Sequence, residues 1–189
     1  MRAREILEAK DPFAFTFGRF NPPTIGHEKL INAVKAASGN YMIYVSESHD
    51  KKKNPLTPDQ KLSYLKQMFP GDNFQSVKTF LPILVDLHTA GIQDIILVVG
   101  DDRIADFDKM LNTYNGVEGK AHGYYNFNSI NVVSAGQRDP DAEGAEGMSA
   151  SKMRSAAVAN DYDSFKQGLP NTFEHGEQLF KDVQQGMNL

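Results

Sequence analysis

Cysteine is missing altogether from this 189-residue chain, which excludes disulfide staples and thiolate metal sites and requires no oxidising compartment. Also missing is an N-terminal apolar run of signal-peptide length, and no stretch approaches the ~20 apolar residues of a membrane span. A soluble, cytoplasmic protein with no membrane partner is therefore expected. Basic residues are in deficit: 20 Lys and Arg stand against 24 Asp and Glu, a formal net charge of -4. That balance offers no broad cationic face, so nucleic acid is not an expected partner, and anionic ligands must be held by local donors. Internal repeats and low-complexity segments are absent as well. With 40% apolar residues the chain suits one compact core, and a single domain over residues 1–189 is expected.

What is present is organised around FTFGRFNPPTIGH, from Phe15 to His27. Phe15, Thr16 and Phe17 end a short apolar run that reads as a buried strand, near Phe13 to Phe17. Gly26 and His27 open a segment with Leu30, Ile31 and Val34 at helical spacing. Gly18, Pro22 and Pro23 lie between, so the order is strand, loop, helix. In α/β proteins such a junction builds phosphate sites. Gly18 lets backbone approach a ligand, and the N–H groups of the helix's first turn face it with the positive end of the macrodipole. Thr24 and His27, three apart, can present a hydroxyl and an imidazole to the same anion. Read in isolation, the same residues would be a helix cap followed by a surface histidine.

Further along, helix is predicted from about Gly26 to Ser38 with Gly39 ending it, and strand from Asn40 to Val45. A polar loop with Lys51, Lys52 and Lys53 follows. Thr57 and Pro58 then read as a cap and first helical residue ahead of Leu62, Leu65 and Met68. Strand is predicted for Phe74 to Val77, helix for Pro82 to Ala90 closed by Gly91, and strand for Asp94 to Gly100, whose apolar run suits a sheet covered on both faces. A helix from about Arg103 to Leu111 precedes a loop or insertion over residues 112–129. Ile130 to Ser134 reads as the fifth strand. After an acidic loop, Arg138 to Gly147, a helix from Ser149 leads to Tyr162 and Phe165, and a last amphipathic helix carries Phe173, Leu179, Phe180 and Val183. The predicted fold is α/β, a doubly wound five-stranded parallel sheet of Rossmann-like type with C-terminal helices: core about 13–159, insertion about 112–129, helical tail about 160–189. Ligands of such sheets sit beyond the carboxyl ends of the strands, where Gly18, the Lys51–Lys53 loop, Gly100 and the Ser149 region fall.

A second motif is GMSASKMR, Gly147 to Arg154. Ser149 and Ser151 stand where a helix begins, and Arg154 lies about one turn on, a pattern suited to phosphate oxygens. With both motifs stated, the chain resembles the nucleotidyltransferases that include pantetheine-phosphate and nicotinamide-mononucleotide adenylyltransferases. Gly18, Phe20, Pro22, Thr24, Gly26 and His27 fit their first signature, and Gly147–Arg154 is similar to their I-S-S-T-x-x-R segment. Met148, Ala150 and Ser151 depart from it, and Ala150 removes one donor. The resemblance covers roughly Phe13 to Ala159. It implies transfer of a nucleoside monophosphate, AMP from ATP in preference to CMP from CTP, onto a phosphorylated small molecule, with pyrophosphate released and Mg²⁺ brought by the triphosphate. It implies that His27 and Thr24 act on the transferring phosphate and that a Lys of the 51–53 loop assists, Lys53 or Lys52, between which spacing does not choose. It further implies that Ser149, Ser151 and Arg154 hold the departing pyrophosphate, with Gly18, Arg19 and Phe20 completing the phosphate loop. Gly100, Asp102 and Arg103 resemble segments of the same enzymes that bind ribose, amide or phosphate; Arg138 is a lesser candidate.

Other readings compete. Glu146 and Gly147 resemble the cytidylyltransferase motif R-T-E-G-I-S-T, which keeps CTP as an alternative. T-I-G-H and M-S-A-S-K also resemble class I aminoacyl-tRNA synthetase motifs, but the chain is acidic and has no room for a tRNA-binding domain. A non-catalytic nucleotide-binding or assembly module is the alternative of another class. Asp139, Asp141, Glu143 and Gly144 imitate a calcium loop whose twelfth position is Ala150, where a bidentate Glu is needed. His49, His88, His122 and His175 show no paired ligand spacing, so no protein-held metal is expected. Tyr114, Tyr124, Tyr125 and Phe127 either stack on an acceptor or pack the insertion down. The insertion and the tail after Tyr162 are the places where an acceptor pocket or a homo-oligomer contact would form.

Overall fold

The computed structural model describes residues 11–136 and 148–189. Strands β1 (Phe13–Gly18), β2 (Tyr41–Ser46), β3 (Phe74–Val77), β4 (Asp94–Val99) and β5 (Ser129–Ser134) make one five-stranded parallel sheet in the order β3-β2-β1-β4-β5. Helices α1 (Gly26–Ala37), α2 (Pro58–Met68), α3 (Leu81–Thr89) and α4 (Ile104–Tyr114) alternate with them, as crossovers between parallel strands require. Helices α5 (Ala150–Val158), α6 (Tyr162–Lys166) and α7 (Gly176–Met187) follow. Backbone packing divides the described residues into two compact units, residues 11–17, 30–43 and 79–136, and residues 18–29, 44–78 and 148–189.

In the first unit β1 pairs with β4 in the register Phe13 to Ile95 and Phe15 to Leu97, and β4 pairs with β5 from Asp94 opposite Ser129 to Val99 opposite Ser134. Ile95, Leu97, Val98 and Val99 are buried while Ile96 is half-buried, which fits the near-continuous apolar run of this strand. The Phe80 ring lies 6.2 Å from Phe15, 5.7 Å from Phe17 and 5.0 Å from Phe107, an aromatic cluster on one face. The loop after α4 closes on itself. Asn115 donates from Nδ2 to the Phe127 carbonyl at 3.0 Å and accepts the Phe127 N–H at 2.8 Å. Tyr125 is fully buried with its hydroxyl donating to Leu111 O at 3.0 Å. Tyr124 packs edge-on to His88, and Tyr114 to His122. Gly123, at φ +99, turns the chain where Val85 presses against it and a β-carbon would be strained.

The second unit is built on α2, α5, α6 and α7. Thr57 caps α2: its Oγ1 accepts the Gln60 N–H at 3.3 Å while Gln60 Oε1 accepts the Thr57 N–H at 2.9 Å, with Pro58 at the first helical position. Leu65, Met153, Phe165, Leu179 and Val183 are buried, and the Phe165 and Phe180 rings meet at 5.0 Å. Each such side chain withdrawn from water contributes about 2 kcal/mol. Asp182 of α7 accepts from Tyr64 Oη at 2.6 Å, Gln60 Nε2 at 3.2 Å and Gln178 Nε2 at 2.8 Å. Burial, with that carboxylate beside it, pushes the Tyr64 phenol well above its usual range. Gly186 abuts the Pro55 carbonyl so closely that a β-carbon there would overlap it.

Several boundaries differ from the sequence reading. Helix α4 continues through Asn112, Thr113 and Tyr114, so the insertion is 115–128. Asn112 Nδ2 and Thr113 Oγ1 donate to carbonyls four residues back, which lets these loop-like residues extend the helix. A short 3-10 turn, Asp101–Arg103, precedes α4 where the helix was expected to start. Phe173 lies before α7, its ring 6.1 Å from Tyr64. Gly39 adopts no left-handed cap, whereas Gly91 does at φ +86. The buried stripe of α2 runs through Lys61, Tyr64, Leu65 and Met68, with Leu62 only half-buried. The acidic loop, including Arg138, Asp139, Asp141, Glu143, Gly144, Glu146 and Gly147, lies outside the described residues.

Candidate functional site

At the end of β1 the backbone turns sharply. Gly18 faces the Phe20 ring so closely that a β-carbon would stand 2.7 Å from Cε2, and Phe20 itself sits at φ +48 with only 2% exposure. The glycine is thus needed to admit the ring, which in turn stacks obliquely on His27 at 4.7 Å between centroids. Next to it, Asn21 is buried and its side chain clasps both peptide groups of Leu56: Nδ2 donates to Leu56 O at 3.0 Å and Oδ1 accepts Leu56 N–H at 3.0 Å. The loop after β1 and the segment leaving the lysine loop are thereby held together.

Thr24 and His27 open α1. The Thr24 backbone N–H donates to His27 Nδ1 at 2.9 Å, and Thr24 Oγ1 lies 3.1 Å from the same nitrogen. A backbone amide can only donate, so Nδ1 is the acceptor and the neutral ring carries its proton on Nε2. His27 is 9% exposed and Thr24 2%, so both are fixed in place with that Nε2–H as the ring's donor.

The second motif reaches the first directly. The Met148 carbonyl rests on Gly26, 3.3 Å from where a β-carbon would stand, so a side chain at 26 would crowd the backbone just before α5. Arg154, half-buried on α5, donates from Nη1 to the Asn21 carbonyl at 2.7 Å and from Nη2 to Ser151 Oγ at 3.0 Å. Ser149 caps α5 by accepting the Lys152 N–H at 3.2 Å, and the helix itself provides no partner for the N–H groups of Ala150 and Ser151. Burial pushes the Arg154 guanidinium below its ordinary value, the Arg19 cation adds to that push, and Asp50 opposes it. Two guanidinium groups near enough to repel each other form a place where an anion is stabilised.

Lys51, Lys52 and Lys53 are exposed on a tight turn. Asp50 builds it: Oδ1 accepts the backbone N–H groups of Lys52 at 2.9 Å and Lys53 at 2.7 Å, and Oδ2 accepts from Asn54 Nδ2. Asp50 and Asn54 also exchange backbone hydrogen bonds across the turn's base. Those donors hold the Asp50 carboxyl far below the usual carboxylate range. Lys61, which sequence reasoning passed over, lies fully buried beneath this loop.

Gly18, Arg19, Phe20, Thr24, His27, Lys52, Lys53, Ser149, Ser151 and Arg154 therefore all belong to the second unit. Gly100, Asp102 and Arg103 lie in the first. Gly100 is at the end of β4, Asp102 and Arg103 are exposed 4.0 Å apart, and Asp101 accepts a hydrogen bond from Ser134. Among the described residues no group of three or more His, Asp or Glu side chains converges to cage a metal ion. Asp50, the carboxylate beside Arg154, is engaged by its own turn.

A family model described as cytidylyltransferase-like matches residues 15–156. No curated protein matches the chain. Among solved structures, a bifunctional NMN adenylyltransferase/ADP-ribose pyrophosphatase from Francisella tularensis superposes with a TM-score of 0.60 at 12% identity, covering 94% of this chain and 53% of its own. The chain thus spans about half the length of that protein. A candidate nicotinate-nucleotide adenylyltransferase from Vibrio parahaemolyticus gives 0.55 at 14% identity, covering 95% and 97%. At these identities the likeness is one of fold, while the family match takes in both the loop after β1 and the start of α5. The chain belongs to the cytidylyltransferase-like family of the nucleotidyltransferase superfamily.

Proposed function

We infer that this protein is an enzyme that transfers a nucleoside monophosphate, AMP from ATP in preference to CMP from CTP, to a phosphate oxygen of a small phosphorylated metabolite. An acceptor oxygen attacks the α-phosphorus, the bond from that phosphorus to the bridging oxygen breaks, and pyrophosphate leaves. The acceptor phosphate is already anionic, so no general base is required. Alignment and charge stabilisation carry the rate. The observation behind this reading is the pairing of the two motifs, Arg154 on the Asn21 carbonyl and Met148 on Gly26, beside a histidine whose tautomer is set by the Thr24 amide.

In this reading His27 Nε2–H and Thr24 donate to the α-phosphate, and Lys53 or Lys52 assists. Arg19, with Ser149, Ser151, the free-facing N–H groups of α5 and the remaining donors of Arg154, receives the leaving pyrophosphate. Gly100, Asp102 and Arg103, in the first unit, stay candidates for the sugar or acceptor on the resemblance alone. Mg²⁺ would enter as part of the substrate and offset the charge of its phosphates; among the described residues no carboxylate cluster converges to hold the ion by itself. The two solved relatives are described as adenylyltransferases, which supports ATP over CTP and puts pyridine mononucleotides on the acceptor panel. The test is pyrophosphate release from Mg-ATP and Mg-CTP across phosphorylated metabolites. Release with ATP and one acceptor is expected. Nucleotide binding without release on any acceptor would favour the non-catalytic module instead.

A further inference from the structure

Lys61 stands in the first turns of α2, on the stripe that also carries Leu65 and Met68, and is 0% exposed. Three costs attach to it there. An ammonium group is expensive to remove from water, a cation near a helix N-terminus opposes the macrodipole, and a hydrocarbon of similar length would fill the space at less cost. Stability therefore does not explain a lysine at this position. Its bonds do: Nζ donates to the Ser46 carbonyl and, at 3.1 Å, to the Ser48 carbonyl, the two residues that lead from β2 into the lysine loop.

From those residues a continuous set of hydrogen bonds runs to the loop's tip. Ser46 Oγ meets Ser48 Oγ at 2.7 Å, and Ser48 Oγ donates to Asn54 Oδ1 at 3.3 Å. Asn54 Nδ2 donates to Asp50 Oδ2, and Asp50 Oδ1 accepts the Lys52 and Lys53 amides. We propose that Lys61 is a positioning residue: its buried ammonium locks the Ser46–Ser48 stem and so sets where Lys52 and Lys53 present their charges. The inference rests on the reading of this loop as an anion-binding element given above. Burial also lowers the Lys61 ammonium from its ordinary value to about 8, with Glu47 opposing, as expected for a cation held by carbonyl dipoles with little solvent.

The experiment compares wild type with Lys61→Met. Hydrogen exchange at the Lys52 and Lys53 amides, the thermal midpoint, and affinity for inorganic tripolyphosphate are measured, the last also in a Lys53→Ala background. The expected result is exchange at those two amides at least tenfold faster with no fall in midpoint. Tripolyphosphate binding should weaken several-fold, and Lys53→Ala should cost less in the Lys61→Met protein than in wild type. Unchanged exchange at both amides overturns the proposal, as does faster exchange spread evenly over the chain with a lowered midpoint. Faster local exchange with unaltered tripolyphosphate affinity keeps Lys61 as the loop's anchor and removes the loop from the anion site. If Lys61→Met does not fold, Lys61→Gln carries the same test, because its shorter amide cannot bridge both carbonyls.

Discussion

Two loops of this protein are tied down by the same chemical device and come out with opposite surfaces. Asn21 clasps both peptide groups of Leu56, and Asn115 clasps both peptide groups of Phe127. In each case one carboxamide replaces a missing strand neighbour for a remote residue. Around Asn115 the neighbours are aromatic, and the result is a sealed plug with Tyr125 and Phe127 inside. Around Asn21 they are Arg19, His27, Arg154 and the lysine turn, and the result is the polar, cationic surface on which the proposed function rests. The clasp supplies rigidity, and the flanking residues decide whether rigidity serves packing or binding.

The comparison breaks first at the chemistry. His27→Ala should reduce pyrophosphate release about 10²–10³-fold with little change in the unfolding midpoint, since it removes a donor aimed at developing charge. Near-normal turnover would mean that the polar loop is as purely structural as the aromatic one. Next comes Asn21→Ala, which leaves the buried peptide groups of Leu56 without partners. A loss of about 3 kcal/mol in urea unfolding is expected, together with reduced turnover. The matching change Asn115→Ala, in a half-buried site, should cost about 2 kcal/mol and leave turnover as it was. Equal effects of the two on activity would erase the distinction drawn here.

The smallest effect concerns the cation beneath the polar loop. Lys61 is pushed down to about 8 from 10.5, so between those values the unfolded chain still holds a proton that the folded chain has released. Stability then rises with pH across that window. Lys61→Met has no such titration, so its advantage over wild type in urea midpoint should shrink from pH 8 to pH 10.5. A gap independent of pH would show that the ammonium is not desolvated as its surroundings imply.

Much of this was readable from residues alone. Thr57 and Pro58 announce the start of α2 because capping is local to a few neighbours, and the structure adds Gln60 as the other half of the capping box. Phe74–Val77 and the turn at Gly91 were equally local. Thr24, His27 and Arg154 could be singled out by motif, but their partners could not: Asn21 and Arg154 are 133 residues apart, and nothing about an asparagine before two prolines announces a clasp on Leu56. Asn112 and Thr113 favoured a loop by composition, and carbonyls within their own helix overrode that preference. Lys61 was the most instructive omission. Lysine is ordinarily assigned to solvent, yet positions 61, 65 and 68 share one helical stripe, and a cation on an apolar stripe was the signal available.

The contact between Gly186 and the Pro55 carbonyl carries one more consequence. The exit of the lysine turn is seated against the last turns of α7, with no room for any atom larger than hydrogen between them. Any side chain at position 186 would therefore displace the exit of that turn, although the two lie more than a hundred residues apart in the chain.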